Sequence, residues 1–288
     1  MGYASYSVTS RAVRAEALGY DTKSRDEIFV QQKERRIHDS MDPKKALLRE
    51  SRDSEIHPLS VPIVIALDVT GSMRTIPHQL VKDGLPKLMQ AIMQKGIKDP
   101  QILFVAVGDC ECDSYPLQVG QFESGDEELD LWLTRTYLEG GGGGNAGESY
   151  NLAYAFAGMR TQHDAWDKRK QKGFLFTIGD EPCLPHLTSI ELRETMDEPT
   201  QKTFSTDELL TKAKERYHVY HLHVLEGSAG HQSLGYWKEL LRENCIEVAH
   251  SEDIPGIISD IVTAQGDKIL QDLSGTITET KEEEEIIL

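Results

Sequence analysis

The sequence predicts an α/β fold, a doubly wound and mostly parallel sheet with one antiparallel edge strand. Three observations carry that prediction. Continuous apolar, β-branched runs recur along the chain, each of strand length and without the polar alternation of a half-exposed strand. Helix-compatible segments separate most of these runs, as parallel connections require. One further run, "PLQVGQFES" (Pro116 to Ser124), lies between other elements with too little chain for a crossover helix, so it predicts the antiparallel edge.

The elements follow in order. Residues 1–60 are polar and charge-rich, with "KSRDEIFVQQKERRIHD" alternating in sign, and their apolar residues are too sparse for an independent core. They predict an arm that drapes over the following domain or stays partly disordered. "VPIVIALD" (Val61 to Asp68) is the first buried strand. "LVKDGLPKLMQAIMQKG" reads as a helix that Gly84 and Pro86 should break, before the strand "ILFVAVGD" (Ile102 to Asp109). "ESYNLAYAFAGMR" is helical and precedes "FLFTIGD" (Phe174 to Asp180). "STDELLTKAKERY" opens on a capping pattern, Ser205 to Glu208, and leads to "HVYHLHVL" (His218 to Leu225). "LGYWKELLREN" then precedes a last short strand, "IEVAH". The domain should run over 61–272, and 273–288 should form an acidic, solvated tail.

Composition narrows the function. The 288 residues, 39% hydrophobic, suffice for one large core. Lys and Arg number 31 against 48 Asp and Glu, a net charge of −17, which repels nucleic acid and anionic membranes but favours cations. Neither nucleic acid nor membrane is therefore an expected partner. Four cysteines in a chain this long make no disulfide framework. No stretch approaches the roughly 20 apolar residues of a membrane helix, and no apolar signal core opens the chain. Gly2 begins something like a myristoylation signal, but Tyr6 stands where Ser or Thr is needed. The expected setting is reducing and cytoplasmic.

In sheets of this class ligands sit beyond the carboxyl ends of the strands, where strand order reverses. "LDVTGSM" places Asp68, Thr70 and Ser72 on a tight turn at one such end, and "TIGDEP" places Asp180 at another. All four are oxygen donors. That chemistry suits a hard cation such as Mg²⁺, which takes about six oxygen ligands, and not the softer metals that prefer Cys or His. Any one of these residues alone reads as a helix cap or turn former. Together, at equivalent ends of two buried strands, they read as a site.

The glycine run in "YLEGGGGGNAGES" (Tyr137 to Ser149) raises a different chemistry. From Gly142 it matches the spacing of a phosphate-binding loop except that Glu148 replaces the lysine. A glutamate there repels phosphate, and the loop follows a helical stretch in place of a clear strand, so no nucleotide site is expected. Five glycines would instead let backbone approach an ion or partner closely. Weaker features include "GDCECDSYP", whose Asp109, Glu111 and Asp113 can rim the same face, and the strand histidines His218, His221 and His223, more fitting to a core or edge than to a metal. No G-x-S-x-G elbow is present.

"VPIVIALDVTGSM" resembles the start of a von Willebrand factor type A (VWA) domain, whose metal-ion-dependent adhesion site begins Asp-x-Ser/Thr-x-Ser, and "FLFTIGDEP" resembles the strand carrying that family's later aspartate. The resemblance spans about Val61 to Ile269 and is closer to intracellular and bacterial members than to integrins. It implies a Rossmann-like fold and a Mg²⁺ or Mn²⁺ contacted directly by Thr70 and Ser72. Asp68 and Asp180 would act largely through water. A protein partner's Asp or Glu would complete the shell, giving a metal-dependent protein–protein interaction module that is not an enzyme. The family's middle-loop threonine is absent here, and Asn145, Glu148 or Ser149 is the candidate replacement. Glu148 at the metal would tighten cation binding and weaken the pull on a partner's acid. The alternative is a Mg²⁺-dependent haloacid-dehalogenase-like phosphatase with Asp68 as nucleophile, although Thr70 then stands where that chemistry needs a second acid.

Overall fold

The computed structural model describes residues 4–20, 22–140, 145 and 147–265, the side chains of Val81, Asp83 and Leu85 excepted. The expected acidic tail and most of the glycine run lie outside the described residues. Six strands form the central sheet: β1 (Val61–Asp68), β2 (Pro100–Val107), β3 (Leu117–Glu123), β4 (Gly173–Gly179), β5 (Tyr217–Val224) and β6 (Cys245–Val248). Their spatial order is β6-β5-β4-β1-β2-β3. Every neighbouring pair is parallel except β2 with β3, the antiparallel edge that "PLQVGQFES" predicts.

The chain winds outward from β1 to β2 and β3, then crosses back to β4 on the other side. β1 is therefore the switch point. The register brings Asp68 opposite Val107 of β2 and Leu67 opposite Ile178 of β4, so all three strands end at one level. Alternation sends successive residues to opposite faces. Ile63, Ile65, Leu67, Phe104, Phe176 and Ile178 bury one face against the helix Leu85–Gln94 and the helix over 254–265. Val64, Ala66, Leu103, Val105 and Leu175 bury the other against the helices Tyr150–Arg160 and Thr206–Arg216. The latter begins with the expected capping box, Ser205 and Glu208 bonding each other's backbone N–H at 2.9 and 3.2 Å.

The helix break expected at Gly84 and Pro86 does not occur. Leu80–Gly84 instead forms a π-helical turn that runs without interruption into Leu85–Gln94. Pro86 has no N–H to donate within this continuous run, and its ring would crowd the carbonyl four residues back in a regular α-helix. A wider turn before it absorbs the mismatch.

Residues before β1 pack on the sheet layers. The helix Val8–Leu18 lies along the helix Asp126–Thr134, where Arg14 pairs with Asp126 at 2.7 Å and Asp130 at 3.0 Å. Arg49–Ser51 forms a short parallel ladder with Thr161–His163. Tyr6, Tyr20, Ile28 and Phe29 enter the core on one face, and Ala46 on the other. Among the described residues, no helix is long and apolar enough to cross a membrane.

Candidate metal centre

Asp68 closes β1 with no solvent exposure. Its Oδ1 accepts from the Thr70 N–H at 2.9 Å and the Thr70 hydroxyl at 2.6 Å, the tight turn that the Asp-x-Thr spacing allows. Its Oδ2 accepts from the Tyr150 hydroxyl at 2.7 Å. Ser72 follows on a 3₁₀ turn, Gly71–Met73, and donates its hydroxyl proton to Asp180 Oδ1 at 2.6 Å. Asp180, just beyond β4, is equally buried, and its Oδ2 accepts the Ala229 N–H at 2.9 Å.

The two hydroxyls decide what this arrangement can do. Each has one proton, and each gives it to a carboxylate at 2.6 Å. The oxygens of Thr70 and Ser72 stand 3.2 Å apart, with lone pairs free to face a common point. Adjacent ligands of an octahedral Mg²⁺, at 2.0–2.1 Å from the ion, are separated by about 3.0 Å. The pair thus fits two neighbouring corners of such an octahedron. Among the described residues, no three His, Cys, Asp or Glu side chains converge as a metal-holding group.

The three middle-loop candidates go to different places. Asn145 donates to Glu111 at 2.8 Å. The Ser149 hydroxyl, fully buried, accepts the Cys110 N–H at 2.9 Å and ties the turn after β2 to the helix Tyr150–Arg160. Glu148 alone joins the Asp68 and Thr70 cluster. Its backbone bonds Pro182 O at 2.8 Å and the Leu184 N–H at 2.9 Å, beside β4's end. Gly147 permits that approach, because a Cβ there would sit 3.2 Å from Pro182 O. The Glu148 side chain is only 6% exposed, and its Oε2 has no hydrogen-bond partner.

Burial, and then the nearby Asp68, Asp109 and Asp113, push the Glu148 carboxyl well up, with Thr70 offsetting a small part. Burial first and Asp180 after it raise Asp68 too. A carboxyl raised above its unfolded value binds its proton more tightly when folded. Stability from that source is complete below about pH 4 and is lost as pH rises through the folded value. In EDTA, the free energy of unfolding should therefore fall more steeply from pH 5 to 8 in the native chain than in Glu148→Gln, by up to about 1.4 kcal/mol per pH unit. Parallel profiles would refute the raised Glu148 carboxyl.

Two elements of the site have no local sequence signal. Tyr150 is fully buried and anchors Asp68, and its ring stacks edge-on to Trp237 with centroids 5.3 Å apart. The loop after β5 and the helix Gly230–Leu241 that follows it close the site from a fourth strand: Ser228 of the loop bonds Ser72 O through its N–H at 3.3 Å and its hydroxyl at 3.2 Å, and Ser233 of the helix donates to Asp180 O. Beneath it, His221 and His223 form a buried chain. His223 Nε2 lies 2.6 Å from Gly230 O and must donate there, so its Nδ1 accepts from His221 Nε2 at 3.2 Å in the neutral pair. They support the loop and are not ligands of this cluster.

Gly179 leaves room for Tyr150. A Cβ at Gly179 would meet the Tyr150 hydroxyl and lie 2.6 Å from its Cζ. Gly179→Ala should cost about 1–3 kcal/mol by overpacking and displace the hydroxyl from Asp68. Tyr150→Phe should cost less in that background than in the native chain, and strict additivity in chemical denaturation would argue against the clash.

No protein-family model and no curated protein matches the chain. Partial structural likenesses include the pilus adhesin SpaC from Lactobacillus rhamnosus GG, in its open conformation, at 9% identity and a TM-score of 0.47, covering 75% of this chain and 31% of the adhesin. Proximal thread matrix protein 1 from the mussel byssus matches at 9% identity and a TM-score of 0.45, over 71% and 47% of the two chains. The conserved hypothetical protein BatB from Bacteroides thetaiotaomicron matches at 14% identity and 0.45, over 72% and 99%. The chain thus spans about a third of the adhesin's length and about half of the byssal protein's.

Proposed function

We propose that this chain is a VWA-type, metal-dependent protein-interaction domain that holds Mg²⁺ or Mn²⁺ against Thr70 and Ser72 and receives an Asp or Glu from a partner protein. The observation that carries the reading is the pair of hydroxyls 3.2 Å apart, both committed as donors to buried carboxylates. Asp68 and Asp180 hold the hydroxyls and supply charge. Glu148 adds a third carboxylate where the VWA resemblance leads one to expect threonine. When bound, the cation supplies an electrostatic grip on an anionic oxygen brought by the partner.

A phosphoryl-transfer role for Asp68 is less well supported, because Thr70 and Tyr150 occupy both of its carboxylate oxygens. The experiment is calorimetric titration of MgCl₂ into the EDTA-stripped full chain, paired with a generic phosphoester assay. Saturable Mg²⁺ binding without turnover is expected. Absence of Mg²⁺ and Mn²⁺ binding would overturn the reading, and turnover abolished by Asp68→Asn would replace it with the phosphatase.

A further inference from the structure

Eight carboxyl groups lie on the turns at the carboxyl ends of the strands: Asp68 and Asp180 are bonded to Thr70 and Ser72, Glu148 lies beside Asp68, and the others neighbour these acids in succession. Asp68, Glu148 and Asp180 form the floor. Asp109, Glu111 and Asp113 come from the turn after β2, Glu139 from the approach to the glycine run, and Glu181 from the turn after β4. Backbone and side-chain bonds hold them in place: Asp113 Oδ2 accepts the Asp109 N–H at 2.9 Å, and Glu139 Oε1 accepts the Tyr115 N–H at 2.8 Å. Among the described residues, none of the eight forms an ion pair.

Among the described residues, the buried acids elsewhere, Asp99, Asp126, Asp130 and Asp164, each meet a histidine or arginine, and some less buried ones are paired too. Asp53 meets Arg169 at 2.7 Å, Asp164 meets Arg52 at 2.8 Å, and Glu198 meets Arg160 at 3.0 Å. On the carboxyl-end face, Arg25 is bonded to Asp26 at 3.1 Å, and the exposed Arg74 pairs with none of the eight. Asp113 and Glu139 are raised above the ordinary carboxylate range by burial and then by Asp109 and Asp113 respectively. An independent sign of an absent ligand is Glu148 Oε2, on a side chain 6% exposed, with no hydrogen-bond partner.

One divalent cation offsets two charges of this set. What remains repels an isolated acid and attracts Lys and Arg, so an acid can reach the cation only when its own surroundings are basic. We propose that the partner of this face is a basic polypeptide segment, in which the acid reaching the Thr70–Ser72 site is flanked by Lys or Arg that meet Glu111, Asp113, Glu139 and Glu181. Glu111 is exposed and the other three are half-buried, so they form the outer rim that flanking side chains would touch. This inference rests on the metal-site reading above and adds the partner's charge to it.

The test uses short fluorescent peptides with one central Asp, flanked by Lys and Arg, by Ser and Gly, or by Glu. Binding to the full chain is followed by anisotropy in Mg²⁺ and in EDTA. In Mg²⁺ the basic peptide should bind at least about tenfold more tightly than the acidic one. That advantage should shrink between about 0.05 and 0.3 M salt as screening shortens the reach of the rim charges. Combining Glu111→Gln, Glu139→Gln and Glu181→Gln should remove most of the preference and leave Mg²⁺ binding by the chain intact. Equal binding of all peptides, tighter binding of the acidic one, no binding of any, or a preference unchanged in the rim variant would overturn the inference. The two readings separate cleanly. Mg²⁺-dependent binding indifferent to flanking charge sinks the basic partner and keeps the metal, whereas a basic preference that persists in EDTA does the reverse.

Discussion

The double change Asp68→Ala with Ser72→Ala is expected to abolish the stabilisation of the chain by Mg²⁺. A cation held only by the folded site stabilises it by mass action, about 2.7 kcal/mol at a hundred times Kd. For a domain of this size that is roughly 5–10 °C in melting temperature. Ser72→Ala removes one of the two facing oxygens outright. Asp68→Ala takes away the acceptor that fixes the Thr70 hydroxyl, leaving its proton free to point at the cation's position. The same change orphans the Tyr150 hydroxyl and relieves repulsion on Glu148, so stability in EDTA can move either way. The quantity to compare is therefore the difference between Mg²⁺ and EDTA, measured for both proteins. A native-sized Mg²⁺ shift in the double variant would move the site to other residues.

Trp237→Ala is expected to lose about 3–5 kcal/mol in chemical denaturation, a large part of the roughly 5–15 kcal/mol typical of a whole domain. Trp237 is fully buried, and its ring lies on His221 with centroids 3.5 Å apart and planes within 10°. Its Nε1 donates to Glu181 O at 2.9 Å, one residue beyond Asp180. Deleting the ring thus opens a cavity beneath Tyr150 and frees the carbonyl that steadies the turn after β4. Trp237→Phe should recover most of the loss, because it refills most of the volume and forfeits only the N–H. A loss below about 1 kcal/mol for the alanine variant would mean that the layers repack around the gap.

The histidine chain shows how differently two levels of description read the same residues. In the sequence, His221 and His223 share a strand face and nothing more. In the fold, the carbonyl of Gly230 fixes the direction of their hydrogen bonds, and through the loop it anchors they lie one step from Asp180. The interpretation of a buried polar side chain depends on what stands opposite it, and that partner came from seven residues away across a turn.

By itself the sequence determined the layers and the local turn. The runs at β1, β2 and β4 are apolar at nearly every position because both faces of the sheet are covered, and that burial leaves its mark residue by residue. The Asp68-Thr70 bond is equally local, spanning two residues. Only the tertiary structure decided which of Asn145, Glu148 and Ser149 joins the cluster, that Tyr150 anchors Asp68, and that the loop after β5 closes on Asp180. It also decided that sparse apolar residues before β1 dock into the core, and that the turn at Leu80–Gly84 widens without breaking. Periodicity records whether a position is buried. It does not record which strand end lies opposite, and the Ser72–Asp180 bond joins residues 108 positions apart. Such a contact exists only after sheet order and register have brought two distant turns to the same level.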